Sequence, residues 1–170
     1  MNINRALQLT GGLLFVALAF VLADTMRERL VNVGDKAPNF KLVTETGKTL
    51  SRDDFGGKLL VLNFWATWCP PCVQEMPSLN RFQEELKGNG VVVLAVSVDH
   101  NPDAYKRFVE RFGLRFEVAR DEKADIPASY GTYKYPETYV INAKGEVLEK
   151  FIGEENWADP KLIERIKRLL

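Results

Sequence analysis

The sequence predicts an α/β domain with a central mixed β-sheet flanked by helices. A β-hairpin precedes the sheet, and an apolar helix stands at the N-terminus. Three observations carry this reading. Two nearly uninterrupted apolar runs, 59–65 and 91–98, have the composition of strands buried on both faces. Each is followed by a stretch whose apolar residues recur at three- and four-residue spacing, which is the signature of an amphipathic helix. Near the C-terminus, Thr138–Asn142 and Glu146–Ile152 alternate around the turn Ala143-Lys144-Gly145, as an antiparallel hairpin does. Strands joined by helices run parallel and hairpin strands run antiparallel, so the sheet is mixed, with helices on both faces.

The elements follow in order. Phe40–Val43 and Lys48–Leu50 flank the turn Glu45-Thr46-Gly47 and make the first hairpin. After the strand 59–65, a helix begins near Cys69 and runs to Leu86, with Met76, Leu79, Phe82 and Leu86 on its apolar face. Gly88 and Gly90 end it. The second buried strand spans Val91–Val98. Asn101-Pro102-Asp103 then opens a helix with Pro at its first position, and Gly113 stops it. Its core face is Tyr105, Phe108, Val109 and Phe112. Phe116–Val118 is a short strand, and Ile126–Tyr130 is one helical turn. Asp159-Pro160 caps a last helix, Lys161–Leu170, with Leu162, Ile163, Ile166 and Leu169 inward.

The chain of 170 residues fits one domain and an appendage. Residues 6–23 carry no charge, and 18 helical residues span about 27 Å, close to a hydrocarbon core of about 30 Å. This segment is expected to be a transmembrane signal-anchor, or a signal peptide cleaved after Ala23. Residues 1–5 would then be cytoplasmic, 24–36 a tether, and 37–170 the extracytoplasmic, periplasmic-side domain. Lys+Arg and Asp+Glu each number 23, which argues against a nucleic-acid partner bound through a basic field and against an acidic disordered chain. Two cysteines are too few for a disulfide scaffold, and one histidine is too few for a His-rich metal site. No metal or organic cofactor is implied.

The chemistry centres on Trp68-Cys69-Pro70-Pro71-Cys72, at a strand-to-helix junction. Residues i and i+3 at a helix start lie close enough for a disulfide. Free backbone N–H groups and the helix dipole favour a thiolate at Cys69, which makes it the attacking sulfur and Cys72 the resolving one. A structural zinc site, a purely structural disulfide and a pair of inert buried thiols are the competing readings. Glu75 lies one turn beyond Cys72, where a carboxylate can accept or relay the thiol proton.

Asn63-Phe64-Trp65-Ala66-Thr67-Trp68-Cys69-Pro70-Pro71-Cys72, followed by Glu75-Met76-Pro77, resembles the active-site stretch of thioredoxin-fold proteins. The nearest group is the membrane-tethered TlpA/ResA/CcmG (DsbE) type, and the resemblance runs from about Val33 to Leu170. It implies a thioredoxin-like fold and a thiol:disulfide oxidoreductase. It implies that Pro136, in Tyr135-Pro136-Glu137-Thr138, is a cis-proline facing the cysteines. It also implies that Glu75 replaces the buried Asp of many thioredoxins, whose position here is Asn63. Glu137 is expected to add a second negative charge near the thiols. Trp68, Tyr135, Pro136 and Glu137 are the expected substrate-binding residues.

The function expected is reduction of protein disulfides outside the cytoplasm. The partners implied are a disulfide-bearing protein, with apocytochrome c among the candidates in cytochrome c maturation, and a membrane thiol-electron donor. A peroxiredoxin-like thiol peroxidase is the alternative, although Leu62 stands where that motif has Pro. A non-catalytic binder of Cys-containing peptides is a third reading.

Overall fold

The computed structural model describes residues 12–20 and 30–170. Residues 12–20 form a helix, α1. The rest of the expected 6–23 span lies outside the described residues. Among the described residues, no helix is long and apolar enough to cross a membrane.

The domain runs β1 (Lys41–Val43), β2 (Thr49–Ser51), β3 (Leu59–Trp65), α2 (Pro70–Leu86), β4 (Val91–Ser97), α3 (Pro102–Phe112), β5 (Glu117–Arg120), α4 (Asp125–Ser129), β6 (Glu137–Ile141), β7 (Val147–Ile152) and α5 (Pro160–Lys167). The main sheet has the order β5-β4-β3-β6-β7. β3, β4 and β5 are parallel, and β6 and β7 are antiparallel to their neighbours. β1 and β2 form a separate hairpin, tied to the edge of the main sheet by a bridge from Thr44 to Ala119. The fold class and the mixed sheet are as the sequence predicts.

The two faces of the sheet are covered unequally. Val61 and Trp65 of β3 pack in one core with Met76, Leu79 and Phe82 of α2, Tyr105 of α3, and Ile163 and Ile166 of α5. Leu60, Leu62 and Phe64 point to the other face, where Phe40, Leu42, Leu50, Phe55 and Tyr130 cover them. Helices were expected on both faces. The three long ones share a single core instead, and the second face is closed mainly by the hairpin, the chain before it and the turn after α4. The short hairpin can do this because each strand turns one leucine inward, Leu42 and Leu50.

The edge strand β5 sits further along than the expected 116–118. It pairs with β4 from Leu94↔Glu117 to Ser97↔Arg120, so it continues as far as β4 offers partners. Caps fix the helix starts where the sequence placed them. Asn101 Oδ1 accepts from the N–H groups of Asp103 and Ala104, and Asp159 Oδ1 accepts from Lys161 N. The last helix ends at Lys167, short of Leu170.

Candidate active site

β3 is central and buried along its whole length, so its C-terminal end is a rigid platform. Four residues beyond it, Cys69 is the N-cap of α2, and its Sγ accepts from Cys72 N at 3.3 Å. Pro70 and Pro71 fill the first helical positions, where an N–H has no intrahelical partner to lose. Cys69 and Cys72 are joined in a disulfide with their Cα atoms 5.3 Å apart. Cys69 keeps 6% of its surface and Cys72 none. An external thiolate can therefore approach only the Cys69 side of the bond. In the reduced pair, the N-terminus of α2 favours charge on Cys69.

The loop before the disulfide is pinned from β4. Thr67 donates its N–H to Asp99 Oδ2 at 2.9 Å and its hydroxyl to Asp99 Oδ1 at 2.6 Å. Ser97 Oγ donates to the same carboxylate at 2.6 Å, and Asp99 is buried. No motif in the sequence marks Asp99, and His100 beside it is exposed. The signal available was a carboxylate directly after an apolar strand, where its choice of face is ambiguous.

Trp68 is 61% exposed, and its ring meets the edge of Tyr135 at 6.1 Å. The Tyr135–Pro136 peptide bond is cis. β6 is antiparallel to β3, with Glu137 opposite Phe64, so Pro136 lies at the same end of the sheet as the disulfide. Trp68, Tyr135 and Pro136 thus share that end.

Glu75 is 2% exposed, on the face of α2 turned to the sheet. Its Oε1 accepts from Asn63 Nδ2 at 2.8 Å, and its Oε2 accepts from Trp157 Nε1 and Glu155 N, both at 3.2 Å. Burial pushes its pKa up from 4.5 to about 7, against the pull of these three donors. Asn63 also donates to Thr138 Oγ1 at 2.8 Å, and its own Oδ1 is buried without a partner among the described residues. Asn63 does not titrate, but it orients the group that does.

Trp157 carries no signal in the sequence, because Glu154-Glu155-Asn156-Trp157 has no periodicity and reads as a polar loop. It is fully buried, edge-on to Phe82 at 5.4 Å and to Phe151 at 5.3 Å. Trp157→Phe keeps an aromatic ring there and removes one donor to Glu75. The Glu75 pKa is then expected to rise above 7, which carboxyl 13C NMR reads directly.

Glu137 requires a correction. It was expected near the thiols and the substrate, yet it is fully buried and faces the other side of the sheet, level with Phe64. Its Oε1 accepts from Lys150 Nζ and Tyr139 Oη, both at 2.9 Å. The neighbouring Thr138 points to the Glu75 side, and side chains alternate along a strand, so the two carboxylates are separated by the sheet itself. The Lys150 ammonium offsets the Glu137 charge. Lys150 also donates to Val31 O at 2.9 Å and so ties the start of the domain to β6 and β7. Glu137 is a buried structural ion pair and is not open to a peptide.

Comparison with known proteins agrees with this geometry. The AhpC/TSA family profile matches residues 33–150. The thiol-disulfide oxidoreductase ResA of Bacillus thuringiensis (strain Al Hakam) is 38% identical over 147 residues, covering 86% of this chain and 83% of that protein. ResA of Halalkalibacterium halodurans is 36% identical over 73% of this chain and 70% of that protein. Among solved structures, a Chlorobium tepidum TLS thiol:disulfide interchange protein of the thioredoxin family superimposes with a TM-score of 0.69 at 29% identity, over 81% of this chain and 97% of that one. The family profile spans well over half of the chain and includes the disulfide, and the chain therefore belongs to the AhpC/TSA family, as a thioredoxin-like thiol-disulfide oxidoreductase.

Proposed function

We propose that the chain is an electron-fed reductant of protein disulfides on the extracytoplasmic side of a membrane. Residues 6–23 are its anchor, 1–5 its cytoplasmic end and 24–36 its tether. The uncharged 6–23 segment supports this, as does a helix over 12–20 whose Leu13, Leu14, Phe15 and Phe20 are exposed. A disulfide reductant in an oxidising compartment needs electrons from a membrane donor, and an anchor keeps it beside that donor.

The observation that carries the reading is the asymmetry of the pair, Cys69 partly reachable and Cys72 enclosed, one helical turn before the buried acid Glu75. The reduced Cys69 thiolate attacks one sulfur of the substrate disulfide. That bond breaks, a substrate thiolate leaves and takes up a proton, and a mixed disulfide holds the substrate on Cys69. Cys72 then gives its proton to the Glu75 carboxylate and attacks Cys69 Sγ. The Cys69–Cys72 disulfide forms, and the second substrate sulfur leaves as a thiolate and is protonated. Two electrons have passed to the substrate, and the membrane thiol donor restores them. Exposed Trp68 and half-buried Tyr135, at the end of the sheet that buried Pro136 shares, offer the contact surface for the substrate peptide. The resemblance of the chain to ResA- and DsbE-type proteins makes apocytochrome c, with its haem-binding cysteines, the candidate substrate.

The test is a trap. Reduced Cys72→Ser chain mixed with a disulfide peptide is expected to accumulate a covalent adduct on Cys69, seen by mass spectrometry and released by dithiothreitol. Absence of an adduct would contradict the assignment of Cys69 as attacking sulfur.

A further inference from the structure

Beside the disulfide, an open groove leads away from Thr67 along α3. It is a cleft of about 690 Å³ whose half-buried floor is Phe108 and Phe112, stacked at 4.1 Å with planes 14° apart. Arg107 and Arg111 stand exposed on its rim, one helical turn from each other. Phe112 is shared with a second cleft of about 520 Å³ toward the outer face of α2, bordered by Pro77, Leu114, Arg81 and Arg115. The first cleft reaches toward the site through Thr67, which is two residues before Cys69 and is held there by Asp99.

The charges around this groove are unspent. Elsewhere on the domain, Arg52, Arg120 and Arg165 each hold a carboxylate, that of Asp53, Glu122 and Glu149 respectively, and Arg168 alone forms no ion pair among the described residues. At the groove, Glu84 is taken up by Arg115. Arg81, Arg107 and Arg111 form no ion pair among the described residues, and Glu110 is the one other acidic side chain lining the clefts. A chain of zero net charge has thus gathered surplus guanidinium groups over an aromatic floor next to its reactive disulfide. Guanidinium groups pair carboxylates through two parallel hydrogen bonds, and arginines around a half-buried aromatic floor are the makings of a binding hot spot.

We propose that this groove docks an acidic segment of the partner polypeptide, one with two carboxylates and an aromatic or aliphatic side chain within a few residues. The carboxylates engage Arg107 and Arg111, and the apolar side chain rests on Phe108 and Phe112. Docking there brings neighbouring cysteines of the partner to the Cys69 side of the pair. The inference rests on the reductase reading above and adds to it the chemistry of the partner's flanking sequence.

The test uses the full chain in mild detergent and two unreactive peptides. Each has a Ser-Ala-Ala-Ser core, one followed by Glu-Glu-Phe and the other by Lys-Lys-Phe. At low salt the acidic peptide is expected to bind at least about tenfold more tightly, with the advantage shrinking as salt is added. The R107E/R111E chain is expected to lose or reverse this preference while its turnover of the small neutral disulfide hydroxyethyl disulfide is unchanged. Equal binding of the two peptides by the unaltered chain would overturn the proposal, as would a preference that survives in R107E/R111E. An arginine-dependent preference for phosphatidylglycerol over phosphatidylcholine vesicles without peptide discrimination would assign the face to a lipid surface, and would overturn it too. Failure of the unaltered chain to turn over hydroxyethyl disulfide would contradict the reductase reading instead. The unreactive peptides judge the groove independently of that result.

Discussion

Cys69→Ser is expected to abolish reduction of a disulfide peptide, with a loss of at least about 10³-fold, because the single reachable sulfur of the pair is gone and a serine hydroxyl is a weak nucleophile. Its cost in stability is small by comparison. Cys69 and Cys72 are three residues apart, and closing so short a loop is worth about 2 kcal/mol in the chain-entropy account. Oxidised wild-type chain and Cys69→Ser should therefore differ modestly in denaturant midpoint and completely in turnover. A purely structural disulfide would give the opposite pattern. Full activity in the variant would show that the chemistry lies elsewhere.

Glu75→Gln is expected to slow resolution of the mixed disulfide on the order of 10²-fold, the usual worth of one positioned general base. In the wild type that step should quicken as Glu75 loses its proton and level off above about pH 7. The variant should show no inflection there. The same group leaves a mark on stability. Its pKa is about 7 when folded and near 4.5 when unfolded, so the native state holds the proton more tightly. The resulting stabilisation is complete below about pH 4.5 and is lost as pH rises through 7, an amount of about 3 kcal/mol. In Glu75→Gln this slope should vanish. The carboxamide can be accommodated because Asn63 carries an unpartnered Oδ1, which a turn of its amide presents to the new N–H. Stopped-flow measurement of the second step from pH 5 to 9, with urea titrations over the same range, separates the kinetic effect from the structural one. An unchanged pH profile would remove Glu75 from the mechanism.

Much of this was legible in the sequence because it depended on local patterns. Buried strands declare themselves by uninterrupted apolar runs, helix starts by Asn101, Asp159 and the prolines after them, and the redox pair by its spacing at a strand-to-helix junction. What was not legible depended on which long-range neighbours meet. Trp157 is separated from Glu75 by 82 residues, and nothing near Trp157 hints that its indole closes the top of a buried carboxyl. Asn63 looked inert because it cannot titrate, but its importance lies in donating to Glu75 and Thr138 at once. Glu137 sits beside Pro136 in sequence, which suggested proximity to the thiols. A strand reverses side at every residue, and that single step carries Glu137 across the sheet to Lys150. The crowding of three long helices into one core likewise follows from how Trp65, Phe82 and Ile166 meet, which no local window reveals.

The proposed direction of electron flow, from the pair to the substrate, draws support from the charge around the pair. A strong oxidant stabilises its reduced, thiolate form. Here the acid nearest to Cys72 along α2 is a buried carboxyl, and ionised it disfavours a second negative charge on that thiol. The α2 N-terminus stabilises Cys69 alone. On the proposed reading this makes the pair a reductant. The most direct measurement is the reduction potential of the Cys69–Cys72 couple in the full chain, by equilibration in thiol/disulfide buffers at pH 7. A value close to that of thioredoxin, about −270 mV, is predicted. A value close to that of DsbA, about −120 mV, would make the chain an oxidant and contradict the account.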